Sequence, residues 1–308
     1  MSKRRDKAVE PYLAKGAWFE FADLEDLSDK YDGSWVTGSV KSLGDHLDFS
    51  IKVRKGSRRL AVIFNSQQKP GGDLKLFTWA NVGKLLDCSR LHIADPTLNV
   101  SENATLGWYT ANKKGNFQNE IAKLISFFRD YLEITELVFL GSSGGGFPAV
   151  YYSQVFENST ALLLAPVFNV KESVQDVPRK LFASELNDAE TFEEAISKHP
   201  DVVFDLRELI LDKGGLVNPV NVLQSRKDNR FWSSQTKPLL ENLGCIFSAP
   251  PTYLKHDKLS MVLGEWSDGH APPPLPVISA ACRGIGLCPP GNLNGFDLFR
   301  ALYTSSEE

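Results

Sequence analysis

The sequence predicts an α/β fold with a mostly parallel central sheet, and three observations support this prediction. Short apolar segments recur at wide intervals, with helical or loop stretches between them. These segments are apolar on both faces, as expected of strands that helices cover on each side. The length of 308 residues, with 42% hydrophobic and 23% charged residues, is sufficient for a large core and argues against disorder.

Six segments are predicted to form this sheet: residues 60–64, 90–93, 137–140, 161–164, 220–223 and 259–263. Three earlier segments alternate in hydrophobicity and contain glycine turns, which indicates antiparallel strands that lead into the sheet. These are residues 18–21, 33–42 and 47–53.

Two helical regions are predicted among these strands. Apolar residues recur at helical spacing between Asn116 and Leu132, with Asn116 as the N-cap. Residues 170–217 are charged and helix-like, which predicts a helical insertion into the sheet. We therefore expect an N-terminal β extension over residues 1–46 and one large domain over residues 47–308.

Composition excludes several classes of function. A net charge of -4 gives no sign of a nucleic-acid-binding surface, and no apolar run approaches the roughly 20 residues of a membrane span. The basic start has no apolar stretch after it, so it does not resemble a secretory signal. The four cysteines form no CxxC pair, which argues against structural zinc and a disulfide framework. We expect a cytoplasmic protein with free thiols, although a local Cys282–Cys288 bridge remains open.

The segment around Ser143 carries the clearest chemical signal. A buried strand runs into Gly141-Ser-Ser-Gly-Gly145 and then into a helix, which is GxSxG in a strand-turn-helix context. Only Ser143 fits the register, because Ser142 would need a glycine two positions earlier, where an apolar strand residue stands. The alternative is a glycine-rich phosphate-binding turn, but the Walker and dinucleotide motifs are absent. We therefore predict that Ser143 is a nucleophile and that the protein needs no cofactor.

A serine nucleophile needs a base, and the base needs an orienting carboxylate. Asp228 is the first carboxylate after the strand at 220–223, and His270 follows the strand at 259–263. His256 is the alternative base, but it precedes its strand rather than following it. Asp257, Asp268 or a carboxylate of the helical insertion are alternatives to Asp228. We predict catalytic roles for Ser143, Asp228 and His270.

Two further sets of residues are candidates for binding the reacting ester. The backbone N–H of Gly144 and the loop at Ser66, with Gln67 as the alternative, would supply the oxyanion donors. Aromatic rings stack on sugar rings, so Trp108, Tyr109 and Trp232 are candidates for a saccharide-binding cleft. Packing in the core is the more common role of such residues.

The elbow, the acid after the next-to-last strand and the final histidine together resemble the serine α/β-hydrolase superfamily over residues 47–290. The sequences LGSSGGGFPAVYY, QSRKDNRFW and GHAPPP resemble a bacterial subgroup found with surface-polysaccharide biosynthesis and with accessory secretion of glycosylated adhesins. The resemblance implies that the insertion at 170–217 is a lid. It also implies O-acyl ester chemistry on a carbohydrate, and protein partners in a glycan biosynthesis or secretion pathway.

We therefore expect a serine hydrolase that cleaves a carboxylic ester, most plausibly an O-acyl group on a saccharide. Two other functions stay open at this stage. A non-catalytic scaffold would use the fold for binding, and an acyltransferase would use the same three side chains with water excluded.

Overall fold

The computed structural model describes residues 3–70, 72–173, 176–245, 253–266 and 268–287. Its strands are β1 (Phe19–Phe21), β2 (Val36–Ser42), β3 (Asp45–Lys52), β4 (Arg59–Phe64), β5 (Ser89–Ile93), β6 (Ala111–Asn112), β7 (Gly115–Asn116), β8 (Glu136–Ser142), β9 (Ser159–Leu164), β10 (Val220–Ser225), β11 (Tyr253–His256) and β12 (Leu259–Gly264). Its α-helices are α1 (Lys3–Leu13), α2 (Leu24–Lys30), α3 (Ala80–Leu85), α4 (Phe117–Tyr131), α5 (Gly146–Val155), α6 (Asp176–Leu181), α7 (Phe192–Ser197), α8 (Leu206–Asp212), α9 (Asn229–Phe231), α10 (Lys237–Asn242) and α11 (Leu275–Gly284).

Within the described residues, ten strands form one sheet in the order β1-β2-β3-β5-β4-β8-β9-β10-β12-β11, and β6 and β7 form a separate small hairpin. From β5 to β12 all neighbouring strands are parallel. The strand pairs β2–β3, β3–β5 and β11–β12 are antiparallel. Because the central strands are parallel, the loops that follow them meet at one edge of the sheet.

The six predicted strands are all present, as β4, β5, β8, β9, β10 and β12. Their side chains are buried on both faces, in one cluster with α4 and α5 and a second with α3 and α11. The predicted helix is confirmed as α4, and the side chain of Asn116 accepts a hydrogen bond from the N–H of Gln118 at 2.9 Å. These strands and this helix can be predicted from sequence because helices must bury both faces of the sheet, which requires apolar strands and helices with an apolar face.

The antiparallel strands that lead into the sheet are confirmed in the pairs β2–β3 and β3–β5, but the extension over residues 1–46 differs from the expectation in two respects. β1 pairs with β2 in the parallel direction, because α2 lies between them and returns the chain to the same end of the sheet. The extension also contains α1, whose Arg5 guanidinium is buried against the carboxylate of Asp48 at 2.8 and 2.5 Å. Sequence periodicity does not reveal α1, since an ion pair and Val9 provide most of its buried contacts.

The helical insertion is present between β9 and β10, where α6, α7, α8 and a π-helical segment at Phe182–Leu186 fall within residues 170–217. Phe182 and Phe192 pack edge-on against Trp108 at ring-centroid distances of 5.8 and 6.3 Å. The insertion is therefore anchored in the core. Among the described residues, no helix has the length and apolar character needed to cross a membrane.

Cys88 and Cys245 are buried, and burial raises the pKa of both thiols. The open question of a Cys282–Cys288 bridge lies outside the described residues, because Cys288 is not among them.

Candidate active site

Ser143 lies on a tight turn between β8 and α5. Its φ is 51°, which is the left-handed region that non-glycine residues rarely adopt. A Cβ on Gly141 would lie 2.0 Å from the carbonyl oxygen of Gly145, and a Cβ on Gly145 would lie 2.4 Å from the carbonyl oxygen of Asn65. Side chains at these two positions would therefore prevent the turn from forming, which explains the GxSxG spacing.

Pro148 does not disturb the helix that follows this turn. It is the third residue of α5 (Gly146–Val155), where backbone N–H groups have no acceptor within the helix. The missing N–H of Pro148 therefore costs no helical hydrogen bond.

The structure brings Ser143, His270 and Asp228 together at the edge where β8, β10 and β12 end. His270 Nε2 lies 2.8 Å from Ser143 Oγ, and His270 Nδ1 lies 2.7 Å from Asp228 Oδ2. Asp228 is 2% exposed, whereas 28% of the His270 side chain is exposed. A buried carboxylate thus contacts one ring nitrogen, and the other nitrogen faces the serine hydroxyl.

The alternative acid and base residues lie elsewhere. His256 pairs with Leu259 at the amino end of β12, away from the edge where Ser143 lies. The Asp268 side chain is 92% exposed and forms an ion pair with Lys227 at 3.1 Å. Among the described alternatives, neither of these side chains takes the position of Asp228 or His270.

A cavity of about 360 Å³ opens directly beside Ser143. It is lined by Ser66, Gln67, Trp79, Ser142, Ser143, Ala165, His270, Ala271 and Pro272. Ser66 therefore lines the same cavity as Ser143, and its role as an oxyanion donor stays a prediction. Gly144 follows Ser143 in the first turn after β8, where backbone N–H groups lack helical acceptors.

Asn65, to which the sequence analysis gave no role, holds the loop after β4 in place through Thr78 and Tyr109. Asn65 is 3% exposed, and its Oδ1 accepts hydrogen bonds from the N–H and the hydroxyl of Thr78, both at 2.8 Å. The N–H of Asn65 donates to the Tyr109 hydroxyl at 2.6 Å, which in turn donates to the carbonyl oxygen of Ile93 at 3.0 Å. The sequence feature that could have indicated this role is an asparagine placed directly after a strand. The loop that carries Ser66 is thereby fixed next to Ser143.

The expectation that Trp108, Tyr109 and Trp232 line a saccharide cleft is not supported. Trp108 and Tyr109 are 0% exposed, because Trp108 packs against the helical insertion and Tyr109 packs edge-on against Phe64 in the core. Trp232 is partly buried and packs against the same core. Trp79 is the tryptophan that lines the cavity, and its φ of 68° is rare for a bulky residue.

The role of residues 170–217 as a lid is likewise not supported. Within the described part of the chain, the cavity is lined by the β4–α3 loop, the Ser143 turn, Ala165 and the His270 loop, and no residue of the insertion contributes. The helices instead pack on the core, as described above. The described residues also contain no group of three or more His, Cys, Asp or Glu side chains arranged to hold a metal ion.

Loss of the Tyr109 hydroxyl should loosen the loop that carries Ser66. In Tyr109→Phe the buried N–H of Asn65 loses its acceptor, which costs about 1–3 kcal/mol. We expect kcat for an ester substrate to fall roughly tenfold, as for a misplaced oxyanion donor. Tyr152→Phe is the matched control, because its buried hydroxyl contacts the carbonyl oxygen of Gln118 at 3.1 Å instead. Equal kcat losses in both variants, measured at equal folded fractions, would contradict this assignment.

The strand order, the strained serine turn and the Ser-His-Asp contacts identify the class of protein: the chain has the α/β-hydrolase fold. No protein-family model and no curated protein matches this sequence. The fold rests on comparison with solved structures.

One similar structure is the capsule O-acetyltransferase of Neisseria meningitidis serogroup A, with 13% identity and a TM-score of 0.54 over 87% of this chain and 96% of that chain. Another is an S-formylglutathione hydrolase from Agrobacterium tumefaciens, with 13% identity and a TM-score of 0.51 over 79% and 91% of the two chains. A third is MPT51 of Mycobacterium tuberculosis, with 10% identity and a TM-score of 0.51 over 77% and 91%. These similarities establish the fold.

Proposed function

We propose that this protein is a serine hydrolase that cleaves a carboxylic ester through an acyl-enzyme intermediate. The observation that carries the proposal is the continuous set of contacts from Ser143 Oγ through His270 to Asp228, at 2.8 and 2.7 Å. These are hydrogen-bond distances for a nucleophile, a general base and an orienting carboxylate. The strained φ of Ser143 supports the same role, because such strain is concentrated at functional sites.

The first half of the reaction acylates Ser143. With the Nδ1 proton donated to Asp228, His270 Nε2 is free to accept the proton of the serine hydroxyl while Oγ attacks the ester carbonyl carbon. The carbonyl oxygen becomes an oxyanion, for which the N–H of Gly144 and a donor from the Ser66 loop are proposed. The His270 imidazolium then returns its proton to the departing alcohol, which leaves an acyl group on Ser143.

The second half repeats these steps with water. His270 takes a proton from the water, the hydroxide oxygen attacks the acyl carbon, and the carboxylic acid leaves as Oγ regains its proton. The Asp228 carboxylate stabilises the imidazolium in each half. Serine, histidine and aspartate are thus returned to their starting states.

We propose an O-acylated saccharide as the substrate. Ser66, Gln67 and Ser142 line the cavity, and residues with hydroxyl and amide groups suit a ligand with many hydroxyls. Trp79 adds an aromatic face of the kind on which sugar rings stack. The cavity volume of about 360 Å³ is enough for one sugar ring with a short acyl group, rather than for a long acyl chain.

A fluorophosphonate probe and a short p-nitrophenyl ester test the enzyme proposal together. We expect the probe to label the folded protein on the peptide that contains Ser143, and p-nitrophenyl acetate to be hydrolysed with a burst. Acetylated xylose or glucosamine derivatives then test the saccharide preference. Folded protein that shows neither labelling nor ester turnover would leave a non-catalytic scaffold as the remaining function.

Acyl transfer is the second candidate, because a hydroxyl of an acceptor can replace water in the second half of the reaction. The likeness to a capsule O-acetyltransferase favours testing it. Product analysis with and without an added sugar acceptor separates the two reactions. Acylated sugar at the expense of free acid would identify transfer.

A further inference from the structure

The ring of Phe231 lies flat against the imidazole of His270. The two ring centroids are 3.6 Å apart and the ring planes differ by 12°, which is a face-to-face stack. Phe231 is itself buried, with 4% of its surface exposed. Its position relative to the imidazole is therefore fixed by surrounding protein.

The ring and the carboxylate that contact His270 come from one helical turn. Asp228 caps α9 (Asn229–Phe231), and its Oδ1 accepts the N–H of Phe231 at 3.4 Å while Oδ2 contacts His270. The chain then continues into a π-helical segment at Trp232–Thr236, a feature that is frequent at functional sites. The turn thus holds the imidazole at its edge through Asp228 and on its face through Phe231.

We propose that Phe231 is a positioning residue that fixes the plane of the His270 imidazole and stabilises its protonated form. The inference rests on the function proposed above. The face of a phenyl ring is negative, so it attracts a cation placed over it, and His270 becomes a cation when it takes the serine proton. Because that charge appears only as the reaction proceeds, the attraction favours the transition state over the ground state.

Other charged groups also lie around His270. Asp228 contacts it directly, and Lys227 and Asp268 form their ion pair on the two loops that carry Asp228 and His270. Arg226 and Arg230 are on the first of these loops, and Glu265 is on the second. All of these groups are unchanged in the variants below. A difference in pH dependence between the variants therefore reports on the ring at position 231.

The test compares Phe231→Leu with wild type in the pH dependence of kcat/KM for p-nitrophenyl acetate. Loss of the ring should lower kcat/KM about 2- to 30-fold at neutral pH, the range that cation–π attraction provides. Without the ring, the protonated form of His270 should also be less stable in the free enzyme than it is in wild type. The acidic limb of the profile should therefore move to lower pH by about half a pH unit or more.

Pentafluorophenylalanine at position 231 keeps the shape of the ring and reverses the charge of its face. We expect this variant to shift the acidic limb in the same direction as Phe231→Leu, and Phe231→Tyr to retain the wild-type profile. The pentafluorophenylalanine variant also keeps the proposal testable if Phe231→Leu does not fold. Phe182→Leu is the control for general loss of a buried ring, since Phe182 packs on Trp108 and should leave the limb in place.

An unshifted acidic limb in both the leucine and the pentafluoro variants would overturn this role for Phe231. That result leaves the proposed hydrolase intact, because wild-type turnover and Ser143 labelling would persist. A wild-type protein without turnover or labelling would instead contradict the proposed function itself.

Discussion

Ser143→Ala should lower kcat for p-nitrophenyl acetate by about 10⁴- to 10⁶-fold and should abolish labelling by a fluorophosphonate. Alanine keeps the Cβ but removes the oxygen that lies 2.8 Å from His270 Nε2. Removal of the hydroxyl leaves the backbone and the Cβ at position 143 unchanged, so we expect the variant to fold. The measurement is burst-phase kinetics together with intact-mass analysis of the labelled protein.

Ser142→Ala is the matched control for this variant. Ser142 lines the same cavity and is 6% exposed, but it lies one position before the strained turn. We expect its kcat for p-nitrophenyl acetate to stay within about threefold of wild type, because this ester has no sugar hydroxyls for Ser142 to contact and the reacting groups are unchanged. Retained labelling in Ser143→Ala, or lost labelling in Ser142→Ala, would show that the nucleophile is assigned to the wrong serine.

Asp228→Asn should lower kcat by about 10⁴-fold with little loss of stability, through the wrong tautomer of His270. In the native chain, Oδ1 of Asp228 accepts the N–H of Phe231, and Oδ2 faces His270 Nδ1. The asparagine oxygen would keep the backbone N–H as its partner, which turns the amide NH₂ toward Nδ1. His270 would then accept at Nδ1 and carry its proton on Nε2, where it cannot take the proton of Ser143.

Asp268→Asn distinguishes this effect from a general loss of negative charge near His270. Asp268 lies two residues before His270, is almost fully exposed and forms an ion pair with Lys227. Exposed ion pairs contribute about 0–1 kcal/mol, so we expect near-wild-type kcat. The two variants should be compared across pH 6–9 with stopped-flow acylation. The reverse order of effects would identify Asp268 as the orienting carboxylate.

Several features of the fold and site follow from sequence because they leave a local signature. The apolar run before Gly141 defines β8, and the small residues around Ser143 are required by contacts as short as 2.0 Å. The carboxyl ends of parallel strands meet at one edge, so residues that follow β10 and β12 were expected near Ser143. Asp228 and His270 do lie there.

Other features depend on contacts between distant segments. Trp108 and Tyr109 are candidates for a cavity from sequence, yet Trp108 is buried by Phe182 and Phe192, which come some seventy residues or more later in the chain, and Tyr109 packs on Phe64. Trp79 lines the cavity, and the residue before it, Thr78, is held by a hydrogen bond from its N–H to Asn65 Oδ1. α1 is held by the Arg5–Asp48 ion pair. An ion pair leaves no periodic hydrophobic pattern in the sequence, so this helix was not predicted.

The sequence by itself determined the parallel sheet, the serine turn and the strand ends at which an acid and a base should be sought. It could do so because strand burial and steric exclusion at a turn act on neighbouring residues. Only the tertiary structure decided which histidine contacts Ser143, which carboxylate contacts that histidine, and which aromatic rings face the cavity. It also placed Phe231 on the imidazole of His270, at a centroid distance of 3.6 Å. Such contacts join residues tens of positions apart, and their geometry is fixed only when the sheet and its loops have packed.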